Sequence, residues 1–194
     1  MANTFSQIYI QTVFAVNGRL SLIRPEFKEE LYKYMTGIVR NNGQKLISIN
    51  GMSDHVHILI GLKPAMALAD LVRDIKADSS NFINKKKWVR GKFSWQEGYG
   101  AFSYGHSQLD TIIRYIQNQE QHHRRRSFKD EYLAWLKKFE IPFEEKYVFK
   151  FIEQTLVHFA PEGAWFSSES LGAINISLLR SESTVVRNTC SSRT

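Results

Sequence analysis

Residues 55–60 read His55-Val56-His57-Ile58-Leu59-Ile60. Side chains alternate faces along a strand, so this segment turns His55 and His57 to one side and Val56, Ile58 and Ile60 to the other. One side suits a core and the other can carry chemistry. Just before it, Leu46-Ile47-Ser48-Ile49-Asn50 is equally β-rich. The short link Gly51-Met52-Ser53-Asp54 makes the two an antiparallel hairpin, Leu46–Asn50 with His55–Leu62.

Working outward, Ile8 to Val16 is a third β-rich run, stopped by the turn signal Asn17-Gly18. Pro25 opens a helix whose Phe27, Leu31, Tyr34, Met35, Ile38 and Val39 form one stripe, and Asn42-Gly43 ends it. A second helix runs from about Met66 to Asn84, burying Leu68, Leu71, Val72, Ile75, Phe82 and Ile83. Tyr99–Tyr104 reads as a fourth strand. Ser107 with Asp110, and Ser127 with Asp130, are capping-box-like starts for two more helices. The order β-α-β-β-α-β predicts an α+β, ferredoxin-like (RRM-like) antiparallel sheet. Helices cover one face, the other stays free for His55 and His57, and the third helix comes to that second face.

That third helix carries Tyr115-Ile116-Gln117-Asn118-Gln119. Residues four apart share a helix face, so Tyr115 and Gln119 stand together beside the stripe Leu109, Ile112, Ile113 and Ile116, with His122 close by. Two imidazoles, an amide oxygen and a phenol are an odd set for zinc. They suit a hard cation, Mg²⁺ or Mn²⁺, held by His55, His57 and Gln119 beside a Tyr115 nucleophile that attacks a phosphodiester. Taken singly, each has a plainer reading: a polar pair on a surface strand, a packed aromatic, a solvated amide, and a basic helix end at His122–Arg126.

The 194 residues carry a formal charge of +7, yet residues 151–194 are net −1, so the first 150 hold +8. A polyanionic partner fits that portion. Lys76 with Ser79 and Ser80 could contact phosphates, and Lys85, Lys86, Lys87, Arg90 and Lys92 interleave with Trp88, Phe93 and Trp95. Basic groups among rings suit single-stranded nucleic acid, although Trp88 and Trp95 read equally as core and Phe93 more so. Cys190 is the only cysteine, which excludes an intramolecular disulfide and a cysteine-based metal site. No signal peptide or run of about 20 apolar residues is visible, so a cytoplasmic protein with no membrane partner is expected. Residues 1–150 read as one domain. The serine-rich residues 151–194 read as a poorly ordered extension without a function of their own.

Together these blocks resemble the single-tyrosine HUH transposases of bacterial insertion sequences, the IS200-like and REP-associated tyrosine transposases. Asp54 to Ile60 is similar to their histidine–hydrophobic–histidine block, and Tyr115-x-x-x-Gln119 to their nucleophile helix. Val13 to Arg19, Trp95 to Ser103, Phe128 to Tyr147 and the Lys76-x-x-Ser79-Ser80 pattern resemble flanking parts, so the likeness spans roughly residues 5–150. It implies cleavage and rejoining of single-stranded DNA at hairpin ends, through a 5′-phosphotyrosine link and a free 3′-OH. It also implies a homodimer, with the tyrosine helix often serving the partner's site. A DNA-binding regulator derived from such an enzyme, and a metal-dependent phosphodiesterase using water, are the alternatives. An amidohydrolase barrel also offers H-x-H, but the chain is too short and lacks βα repeats.

Overall fold

The computed structural model describes residues 5–144 and Val148. The expectations for residues 151–194 lie outside the described residues. Four strands form one sheet: β1 (Ile8–Ala15), β2 (Lys45–Gly51), β3 (His55–Leu62) and β4 (Gly100–Tyr104), in the order β2-β3-β1-β4. Every pairing is antiparallel, which is the ferredoxin-like arrangement that the element order predicts. The hairpin of β2 and β3 forms as expected. Its turn is tight enough that a Cβ on Gly51 would lie 2.2 Å from the carbonyl oxygen of His55, so no larger residue fits there undisturbed.

Helices α1 (Pro25–Asn41) and α2 (Leu68–Lys86) cover one face. Pro25 begins α1, and Gly43, at φ +70°, follows its end. Phe27, Leu31, Met35, Ile38 and Val39 of α1 pack with Leu71, Val72, Ile75 and Ile83 of α2 on Phe14, Val56, Ile58 and Ile60. The sheet thus turns its continuous apolar side to these two helices, the side that alternation assigned to β3.

The tyrosine-bearing helix comes to the second face as expected, and that face is covered further than alternation alone suggests. Helix α5 (Phe128–Lys138) lies over it, with Phe128 and Leu136 buried on Val13, Ala15 and Phe102. Burying a side chain of that size contributes about 1.5–3 kcal/mol. Gly100 admits the helix: its missing side chain leaves room for the Tyr132 ring, 2.9 Å from where a Cβ would sit. Ser127 caps α5 as expected, its Oγ accepting from Asp130 N at 3.2 Å. Ser107 caps nothing. A 3₁₀ turn, His106–Gln108, precedes the third helix, and Gln108 Oε1 accepts from Gly105 N instead.

The third helix also comes in two pieces, α3 (Leu109–Gln117) and α4 (Gln119–His123). The break falls at Asn118, whose side-chain Nδ2 donates to Arg114 O at 2.9 Å, competing with the backbone ladder. Of the expected stripe, Ile116 is buried, while Leu109, Ile112 and Ile113 are half-buried. Asn50 of β2 ties the end of α3 to the sheet by donating to Gln117 O at 2.9 Å.

Candidate active site

His55 and His57 leave β3 on the α5 side, as the alternation predicts, but both are buried, at 1% and 0% exposure. His55 stacks on Phe128, ring centroids 4.0 Å apart. Its Nδ1–H donates to Asp54 Oδ1 at 2.7 Å, and Arg19 Nε donates to Asp54 Oδ2 at 2.8 Å. Burial pushes the Asp54 carboxyl up, but the His55 hydrogen bond and the Arg19 guanidinium outweigh it and hold the group at about 2. A fixed carboxylate behind Nδ1 leaves Nε2 of His55 with its lone pair facing the site.

His57 is held from the other side of its ring. Its Nδ1 is 3.1 Å from the buried amide nitrogen of Gln11, whose Oε1 makes no hydrogen bond. A side-chain amide can present either end. With its oxygen toward Nδ1–H, Gln11 is satisfied and His57 Nε2 becomes an acceptor. Burial, and then the neighbouring His55, His123 and His122, hold His57 well below the ordinary imidazole range, so its ring is neutral. Burial lowers His55, His122 and His123 as well.

The structure brings Tyr115 and Gln119 to these histidines. The Tyr115 ring lies 5.9 Å from that of His57 and 5.2 Å from that of His122. Gln119 is fully buried. Its Nε2 donates to Tyr115 O at 3.3 Å, which turns Oε1 toward His123 Nε2 at 3.0 Å.

Two residues not singled out from sequence complete the group. His123, read as part of a basic helix end, donates from Nδ1 to Arg126 O, so its Nε2 lone pair faces His55 Nε2 at 3.1 Å. Glu131 of α5 is 1% exposed. Its Oε1 accepts from the Tyr115 hydroxyl and lies 2.8 Å from His122 Nε2; its Oε2 lies 3.5 Å from His123 Nε2 and 4.0 Å from His57 Nε2. Burial pushes its carboxyl up to about 8. A readable signal exists for it: an acid three residues after Phe128 and four before Trp135, inside an apolar stripe.

One ligand atom from each of His55, His57, His123 and Glu131 lies within 4.8 Å of the others. Gln119 Oε1 adds a further acceptor 3.0 Å from His123 Nε2, and His57 Nε2 and Glu131 Oε2 make no hydrogen bond. Buried acceptors facing one another repel unless something positive sits between them. This donor set can hold a divalent metal ion, and it fits one by that test.

Tyr115 and His122 also line a cleft of about 920 Å³, together with Arg114, Asn118, Arg124, Arg125 and Arg126. The basic surface proposed from sequence is elsewhere. Lys85, Lys86, Lys87, Arg90 and Lys92 are exposed at and beyond the end of α2, whose body packs on the opposite face of the sheet, and Lys86 pairs with Glu30 at 2.8 Å. Lys76 Nζ donates to the carbonyls of Gln96 and Gly98. Ser80 is half-buried. For Ser79 and Trp95 the structure corrects the sequence reading. Ser79 is fully buried and Trp95 is 7% exposed in the core, where its Nε1 donates to Ser79 Oγ at 2.9 Å. Trp88 stacks on Phe27, centroids 4.6 Å apart.

Among the described residues no helix is long and apolar enough to cross a membrane. Comparison with known proteins agrees with the motif reading. The family model described as "Transposase IS200 like" matches residues 4–119. The ISDra2 transposase TnpA of Deinococcus radiodurans is 25% identical over 118 residues, covering 58% of this chain and 84% of that protein. Among solved structures, a protein of D. radiodurans R1 described as a transposase is similar at 22% identity and a TM-score of 0.49, covering 61% of this chain and 95% of the other. A REP-associated tyrosine transposase bound to a REP hairpin is similar at 12% identity and a TM-score of 0.49, covering 63% and 73%. A family match spanning more than half of the chain settles its kinship: it is a member of the IS200-like transposases.

Proposed function

We propose that this chain cuts and rejoins single-stranded DNA at the hairpin ends of a mobile element, by transesterification onto Tyr115. The observation that carries the reading is the position of the Tyr115 hydroxyl. It stands between a cleft rich in arginine and the converging acceptors of His55, His57, Gln119, His123 and Glu131.

The arginines of the cleft suit a phosphodiester backbone, since guanidinium groups bind phosphate oxygens through paired N–H donors. A scissile phosphate docked there meets the phenol oxygen. Attack forms the Tyr115 Oη–P bond and breaks the P–O3′ bond, and the 3′ oxygen leaves as a hydroxyl after gaining a proton. The phenol's own proton already points at Glu131 Oε1. His55, His57 and Gln119 would hold Mg²⁺ or Mn²⁺, which would supply positive charge to polarise the phosphoryl group. Asp54 and Gln11 orient the two imidazoles from behind. Attack by a 3′-OH on the phosphotyrosine reverses the step and rejoins a strand without ATP. We place this work in the cytoplasm, the default for a sequence without a visible signal peptide, and assign it to a homodimer, as the family resemblance implies.

The test is incubation of the protein with labelled hairpin DNA from the flanks of its own locus, with Mg²⁺ or Mn²⁺, resolved on a denaturing gel. A metal-dependent covalent adduct that Tyr115→Phe abolishes is the expected result. Cleavage without an adduct, indifferent to that substitution, identifies a phosphodiesterase using water. Binding without cleavage identifies a DNA-binding regulator.

A further inference from the structure

Glu131 does two things at once. One carboxylate oxygen accepts the hydrogen of the Tyr115 hydroxyl, and the other, without a hydrogen bond, lies 3.5 Å from His123 Nε2 and 4.0 Å from His57 Nε2. We propose that Glu131, carried by α5, is a ligand of the divalent cation and simultaneously the residue that positions Tyr115, so that cation and nucleophile are joined through one carboxylate. The inference rests on the function proposed above and adds a ligand that lies outside both the histidine strand and the tyrosine helix.

Three features support it. First, Glu131 is 1% exposed and turns an oxygen that makes no hydrogen bond toward His123 Nε2 and His57 Nε2, the arrangement in which a buried carboxylate coordinates a metal ion. Second, His55, His57 and His123 are oriented by Asp54, Gln11 and the Arg126 carbonyl so that each turns an Nε2 lone pair to the site. Third, Glu131 is rigidly presented. Ser127 fixes the start of α5, Phe128 stacks on His55, and Tyr132 presses into the space above Gly100. A carboxylate bridging an ion and a phenol holds the phenol oxygen near the ion at a fixed orientation. That is what an in-line attack requires.

The experiment uses the full chain stripped of metal. Mn²⁺ is titrated in and the free ion is followed by its electron paramagnetic resonance signal, for the wild type, Glu131→Gln and His57→Ala. In parallel, protein labelled with ¹³Cζ-tyrosine is titrated with diamagnetic Mg²⁺, the Tyr115 resonance being assigned by its loss in Tyr115→Phe. Glu131→Gln keeps the size and shape of the side chain and should weaken Mn²⁺ binding about 10- to 100-fold. Mg²⁺ should shift the Tyr115 resonance of the wild type and leave it unmoved in Glu131→Gln. Mn²⁺ affinity of a folded Glu131→Gln within twofold of wild type overturns the inference. So does a wild-type Tyr115 resonance that ignores Mg²⁺, a readout that stands even where the variant does not fold. His57→Ala separates the two readings: binding lost there but intact in Glu131→Gln refutes only the role of Glu131. Binding intact in both refutes the cation site of the proposed function as well.

Discussion

The rings of His57 and Tyr115 stand 5.9 Å apart, centroid to centroid, within a single chain. The Tyr115 hydroxyl therefore faces the histidines of its own β3, with Glu131 of the same chain between them. Tyrosine donated to a partner's site, the arrangement that the family resemblance implies as frequent, is not required by this geometry. Tyr115→Phe and His57→Ala proteins, each inactive, should stay inactive when mixed and allowed to exchange subunits. Adduct formation restored by mixing would show that sites are shared between chains.

The arginine cleft and the lysine-rich loop make competing predictions about the path of DNA. Each phosphate neutralised on a single strand contributes about 0.7 to the slope of log affinity against log salt. Replacing Arg124 and Arg125 by alanine should weaken hairpin DNA binding and flatten that slope by about 1.4. Replacing Lys85 and Lys87 by alanine should alter it less, since they lie beyond a helix on the far side of the sheet from Tyr115. Fluorescence anisotropy across a salt series measures both.

Trp95 should matter to stability and not to DNA. Trp95→Phe keeps a ring against Phe14 and Phe93 but removes the hydrogen bond to Ser79, costing about 1 kcal/mol. Urea unfolding should show that loss while the affinity for single-stranded DNA stays within twofold. A large drop in affinity with unchanged stability would restore Trp95 as a stacking platform.

Two glycines should respond oppositely to alanine. At Gly51 the new Cβ meets the His55 backbone oxygen at 2.2 Å, so Gly51→Ala should cost about 1–3 kcal/mol and weaken Mn²⁺ binding by displacing the start of β3. At Gly37, inside α1, nothing lies within 4 Å, and Gly37→Ala should gain about 0.5–1 kcal/mol. Thermal melts of the two variants with and without Mn²⁺ check both signs.

The facing of His55 and His57 was legible because strand alternation is strictly local, the hairpin from its short turn, and the sheet from the order of its elements. The four-residue spacing of Tyr115 and Gln119 survived a break at Asn118, since α4 resumes with Asn118 O accepting from His122 N. His123 escaped notice because the basic run to Arg126 masks it and the break re-aims it. Glu131 needed the docking of α5, a contact between segments more than 70 residues apart that no local pattern encodes. Trp95 and Ser79 stayed open for a related reason: a tryptophan among lysines reads as well on the surface as in the core until its indole nitrogen is seen to meet a buried hydroxyl. Composition located the positive charge in the first 150 residues, and only folding gathered four arginines beside Tyr115.

His57 Nε2 and Glu131 Oε2, buried and without hydrogen bonds, have a consequence for the whole molecule. An ion that binds only where these atoms meet binds only the folded chain, so folding and ion uptake become one linked equilibrium. At a hundred times its dissociation constant, such an ion adds about 2.7 kcal/mol to the folded state. The melting temperature of the protein would then rise with the supply of free divalent metal, even though the metal-free chain remains folded.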